Sequence, residues 1–119
     1  MGVLSTRHAA IVSALTAAGI TATRDPSAVV PPCIWVAAPA GVEVNSFGQC
    51  AYNVRWTVYA VGRAPGNVDG LDDCLGLIES VAATIKNAPG ETWEPSTVTP
   101  QQITYPAYRL ELAETVSAT

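Results

Sequence analysis

Between Ala51 and Val61 the chain alternates without a slip: Tyr52, Val54, Trp56, Val58 and Ala60 are apolar, and Asn53, Arg55, Thr57 and Tyr59 fall between them. Successive side chains of a strand point to opposite faces, so this segment is extended, with one face packed on helices and the other turned to water or a partner. Such a strand needs a cover, and one follows closely. Leu71, Cys74, Leu75, Ile78, Val81, Ala82 and Ile85 recur at helical spacing, with Asn67 or Asp69 as N-cap, Asp72 and Asp73 in the first turn and Lys86 in the last. Asn87, Pro89 and Gly90 end this helix. Leu4, Ile11, Ala14, Leu15 and Ala18 share the same period, which predicts an N-terminal helix from about Thr6 to Ala18, capped by Ser5 or Thr6 and stopped at Gly19.

The segments between are shorter. Ile20 to Thr23 reads as a brief strand, and Arg24-Asp25-Pro26-Ser27 as a turn. Pro31-Pro32-Cys33-Ile34-Trp35-Val36 opens a second strand running to about Ala38, because proline can lead into a paired strand but cannot donate within one. Cys33 and Trp35 would point to one side, Ile34 and Val36 to the other, which suits a strand covered on both faces. Pro39 to Cys50 is predicted as a loop or ragged hairpin, and Arg63 to Val68 as a turn around Pro65-Gly66-Asn67. Trp93 to Tyr105 is extended, broken by Pro100 and Pro106. Tyr108 to Val116 closes the chain, with Tyr108, Leu110 and Leu112 on one face and Arg109 and Glu111 on the other. The order α-β-β-β-α-β-β predicts one α+β domain over 1–119, a mixed, mostly antiparallel sheet with two helices packed on one face.

Only 13% of the residues are charged, about half the ~25% of an average soluble domain. Either part of the surface is covered by other subunits, or the chain is a small monomer rich in Ala and Thr. The net charge of −4 includes six basic residues, Arg7, Arg24, Arg55, Arg63, Lys86 and Arg109, and they form no run. Gripping nucleic acid requires clustered cations to neutralise phosphates, so a DNA-holding role is disfavoured. Cys33, Cys50 and Cys74 are odd in number and cannot all pair within one chain; Cys33 and Cys74 read as small core residues in a reducing compartment. With no C-x-x-C and His8 the single histidine, a zinc site is disfavoured. Met1-Gly2 with Thr6 satisfies a loose myristoylation pattern, but Ser5 and Thr6 serve equally as helix caps. No apolar run approaches the ~18 residues of a membrane span.

Few residues suggest chemistry. His8 belongs to a helix that otherwise packs apolar residues, and a nucleophile would need it beside Cys33, a serine or a threonine. Asp72 and Asp73 are adjacent and project about 100° apart on a helix, so they suit its N-terminal dipole better than a shared site. Gly66 and Gly70 precede no Gly-Lys-Ser/Thr. Asn67, Asp69 and Gly70 imitate the middle of a calcium loop, but Pro65 and Gly76 stand where its first and twelfth ligands belong. Gly76 costs about 1 kcal/mol against alanine inside a helix, which points to close approach by something or to a tolerated surface glycine.

The N-terminal helix, the Pro-Pro-Cys-Ile-Trp-Val strand at 31–36, the alternating strand ending near Val61, the amphipathic helix from Leu71 to Ile85 and the closing strand together resemble the tail terminator (minor tail) proteins of long-tailed actinobacteriophages. The resemblance implies a hexameric ring of mixed α/β subunits that caps the tail tube, ends its polymerisation and forms the surface joining tail to head. It implies the tail tube protein and a head-tail connector protein as partners. Double-stranded DNA would pass through the channel without specific binding, which an acidic or neutral wall favours. It further implies a virion tail or neck location after assembly in the host cytoplasm, no membrane, no cofactor, no metal and no reaction. Candidate subunit or tube contacts are Phe47 and Gln49 in the 41–49 loop and Gly76, Ser80 and Ala83 on the outer face of the second helix. Another neck component or a tail tube protein would share these features; a small thiol enzyme using Cys33 and His8 is the alternative from a different class.

Overall fold

A computed structural model describes residues 2–45, 51–63, 68–85 and 92–117. Helix α1 spans Val3–Ala17 and helix α2 Val68–Thr84. The strands are β1 (Ala22–Thr23), β2 (Cys33–Val36), β3 (Gly41–Asn45), β4 (Ala51–Val61), β5 (Glu94–Val98) and β6 (Tyr105–Ser117). They form one sheet in the order β1-β2-β4-β6-β5, with β3 also paired to β4. The pairing of β1 with β2 is parallel and the rest is antiparallel. The predicted α+β class stands.

Both helices lie on one face. Ile11 and Leu15 of α1 and Val81 of α2 pack on Ile34, Val36, Val54, Trp56, Val58, Ala60 and Leu110 in a single buried cluster. Each such aliphatic side chain contributes about 1.5–3 kcal/mol when taken fully out of water. The even-numbered residues of β4 face this cluster, as their alternation predicts. The opposite face is less watery than expected: Val29, Cys33, Val61, Val98 and Ala107 make a second, smaller core flanked by Trp35, Tyr59 and Tyr105. β2 is therefore covered on both sides, with Ile34 and Val36 in one core and Cys33 in the other.

Several boundaries differ from expectation for identifiable reasons. α1 starts at Val3 rather than Thr6, so Ser5 and Thr6 are interior, and the Thr6 N–H donates to Gly2 O at 2.9 Å. Leu4 packs against the core, and that contact carries the helix back a turn. Its other end is as predicted: Gly19 adopts φ 84°, its N–H donates to Thr16 O, and Ile20 N–H donates to Leu15 O. This is the Schellman arrangement, closed by contact between buried Ile20 and Leu15. The second strand stops at Val36, not Ala38.

Of the loop or ragged hairpin predicted over 39–50, the described part agrees with the hairpin: Gly41–Asn45 is strand β3, paired antiparallel with the first half of β4. Pro106 does not break β6. It sits beyond the last β4 partner of that strand, its O accepts from Gly62 N at 2.9 Å, and so its missing donor also faces the end of β4 rather than the β5 ladder. Asp69 lies in the first turn of α2 rather than capping it. Phe47, Gln49, Cys50, the Pro65-Gly66-Asn67 turn, Lys86, Asn87, Pro89 and Gly90 fall outside the described residues.

Candidate assembly interface

The residues with chemical potential are held in structural roles. His8 stacks on Trp56, with ring centroids 5.4 Å apart and planes 13° from parallel, and its Nε2 is 2.7 Å from Val36 O. A carbonyl only accepts, so Nε2 carries the hydrogen and caps the last carbonyl of β2. Arg7, on the adjacent position of α1, reaches Glu114 of β6 through two bonds of 2.8 and 2.7 Å, and Trp56 Nε1 donates to the same carboxylate at 3.1 Å. Glu114 thus ties α1, β4 and β6 together.

The Arg7 hydrogen bond holds the Glu114 carboxyl below its ordinary value near 4.5, partial burial opposes that shift, and the Trp56 bond adds to it. A carboxyl depressed by folding contributes stability that is fully present above its unfolded value and is lost as pH falls through the folded one. The stability gap between the wild type and Glu114→Gln, read by urea titration, is therefore expected to stay constant from pH 7 to 5 and to close below about pH 4.

Cys33 and His8 are not brought together. Cys33 lies in the core behind the sheet and His8 stacks in front of it. Burial raises both the Cys33 and Cys74 thiols above their ordinary values, and Cys74 Sγ lies 3.4 Å from Ala60 O. Asp72 and Asp73 also separate. Asp72 is exposed, while Asp73 binds Arg63 Nε at 2.7 Å and Arg63 N at 3.2 Å, fastening the first turns of α2 to the end of β4. This hydrogen bonding to Arg63 lowers the Asp73 carboxyl and raises the Arg63 guanidinium. Among the described residues no group of His, Cys, Asp and Glu is arranged to hold a metal ion.

Gly76, Ser80 and Ala83 are exposed on the outer side of α2, and a Cβ at Gly76 would meet nothing within 4 Å. No close approach among the described residues explains that glycine. Ser80 Oγ donates to Gly76 O at 3.1 Å and Thr84 Oγ1 to Ser80 O at 3.0 Å, so these hydroxyls turn back onto their own helix.

A flank of α2 was missed by the sequence reading. Only Cys74 and Val81 of its apolar stripe are buried with Gly70, whereas Leu71 and Leu75 remain 42% and 43% exposed beside Val68. The available signal was width: the stripe covers more of the helix circumference than one sheet face can hide. Val68, Leu71 and Cys74 form one wall of a groove of about 490 Å³, and Pro95, Ser96, Pro106, Ala107 and Tyr108 form the other.

At the opposite edge of the sheet β3 presents Val42 and Val44, 45% and 68% exposed. They align with Val54 and Tyr52, on the face that the helices cover elsewhere. Charge divides similarly. Toward β5 and α2 stand Asp69, Asp72, Asp73, Glu79 and Glu94 against Arg63 and Arg109; toward β1 and β3 Arg24 and Arg55 balance Asp25 and Glu43, and Arg7 is paired with Glu114 of β6. No protein-family model matches this sequence, and no curated protein is significantly similar to it.

Proposed function

We propose that this chain is a structural virion protein, a tail terminator that assembles as a hexameric ring, caps the tail tube, ends its polymerisation and offers the surface on which the head is joined. The observation that carries the reading is that the two edges of the sheet are both unfinished and are unlike. One shows an apolar helix flank and groove with an acidic surround, the other an apolar edge strand in a charge-balanced surround. Two unlike contact surfaces on one chain make heterologous contacts, and these close into a ring when the rotation between neighbours divides a full turn. Such contacts also account for the low charge: apolar side chains left half exposed on a free subunit become buried between copies. The resemblance in element order and in the Pro31-Pro32-Cys33-Ile34-Trp35-Val36 segment supplies the tail; the surfaces supply the ring.

Removing the gene from a phage that carries it is expected to give tails of abnormal length, with the purified protein running as a ring-sized species in native mass spectrometry and negative-stain images. Tails of normal length that fail to join heads would overturn the reading in favour of another neck component. Tubes formed by the purified protein alone would overturn it in favour of a tail tube protein.

A further inference from the structure

Two strand edges at the same height of the sheet are open among the described residues. β3 pairs with β4 on its inner side, and no strand is paired to its outer side. β4 covers one side of β6 along its length, whereas β5 reaches only Tyr105–Arg109 on the other. The register sets Gly41, Arg55 and Ala113 in one row and Val44, Tyr52 and Val116 in another. The outer edges of 41–44 and 113–116 are therefore the two margins of one three-stranded stretch.

We infer that β3 of one copy adds to the open edge of β6 in the next copy, so that the sheet continues from subunit to subunit. The inference rests on the ring reading and names its contact. β3 runs antiparallel to β4 and β4 antiparallel to β6, so β3 and β6 point the same way. Repeating the subunit by rotation about an axis along the strands makes each junction a parallel pair, in which every exposed backbone donor and acceptor of the two margins can find a partner.

The occupant is a second copy because the margins fit each other and do not fit themselves. In the heterologous junction Val42 and Val44 come beside Val116 and beside Glu114, whose charge Arg7 already holds. On the reverse face Glu43 comes beside Ala113 and Thr115, which carry no charge. A β3-to-β3 junction centred on Glu43 would instead bring two carboxylates together, and a β6-to-β6 junction centred on Glu111 would do the same; like charges set opposite each other across strands are destabilising. The wider charge division points the same way: head-to-tail order sets the net acidic β5 and α2 end against the charge-balanced β3 end, whereas a junction of two β5 and α2 ends would set acidic surface against acidic surface. Gly41-Val42-Glu43-Val44-Asn45 contains no Lys and no Pro, and Glu43, on the reverse face, is its one charge against edge pairing.

Disulfide trapping tests the contact. Glu43→Cys/Thr115→Cys and Glu43→Cys/Ala113→Cys, oxidised under native conditions, are expected to give a covalent ladder ending at the ring mass in at least one of the two. Within a single chain β4 separates these positions by two strand spacings, about 10 Å, beyond the reach of a disulfide. The wild type, Glu43→Cys and Thr115→Cys alone should give no ladder. Val42→Lys/Val44→Lys changes only exposed side chains and should abolish the ring while leaving the circular dichroism spectrum of the folded subunit unchanged. A covalent dimer from Glu43→Cys alone would overturn the inference in favour of a two-fold contact. Rings in native mass spectra without any ladder, or rings that survive the lysine pair, would overturn it and leave the ring reading standing. A wild type that stays monomeric at high concentration would overturn both.

Discussion

Trp56→Ala is expected to lower the free energy of unfolding by about 4 kcal/mol, the range found for truncating a large buried aromatic. Its indole is 1% exposed at the centre of the helix-covered face. Two neighbours lose a partner and the packing loses volume: the His8 ring loses its stack, Glu114 loses one of its donors, and a void opens among Ile11, Leu15 and the rest of the cluster. For a chain of 119 residues the thermal midpoint should fall by about 15 °C. Trp56→Phe separates the terms, because it keeps most of the volume and removes only the N–H; a loss of about 1–2 kcal/mol is expected. Chemical denaturation of the three proteins checks this, and equal losses for Phe and Ala would mean that the hydrogen bond to Glu114, not packing, carries the residue.

Gly62→Ala is the second large effect, and it is steric. A Cβ at Gly62 would lie 2.3 Å from Gly70 O and 3.0 Å from Cys74 Sγ. The first of these is backbone, so the start of α2 must move away from the end of β4. Overpacking of this kind costs about 1–3 kcal/mol, and the upper end is expected here because Arg63 and Asp73 fasten the same two elements. Removing the sulfur does not remove the carbonyl oxygen: Gly62→Ala/Cys74→Ala should be no more stable than Gly62→Ala in urea. Recovery of stability in the double variant would show that Cys74, not the helix backbone, sets the spacing. Displacing α2 also shifts Val68 and Leu71, which wall the groove, so ring formation in this variant should weaken along with the fold.

Elements with strong local periodicity were legible before any coordinates. β4 has the predicted bounds, Ala51–Val61, because eleven residues of strict alternation admit one register of faces. α2 was placed to within a turn for the same reason. β3 was legible only as one of two alternatives, a loop or a ragged hairpin: with only Val42 and Val44 to alternate and Gly41 and Asn45 at its ends, its strand character comes from pairing with β4. Pro106 misled because its tolerance depends on which neighbour its missing donor faces, and that is settled by where β4 ends. Of the candidate contacts, Gly76, Ser80 and Ala83 are on the surface as expected, Phe47 and Gln49 lie outside the described residues, and the larger apolar flank at Leu71 and Leu75 was assigned to the core.

The residue order by itself determined two helices, a mostly antiparallel sheet, the inward face of β4 and the two-sided burial of Cys33-Ile34-Trp35-Val36, since periodicity and proline chemistry act over neighbouring residues. Only the tertiary structure decided which half of the α2 stripe is covered, that His8 and Cys33 lie on opposite sides of the sheet, and that β3 and the end of β6 are left as open margins. Those outcomes depend on how far each strand extends past its neighbour. Strand overlap is a property of long-range pairing, and no local pattern encodes it.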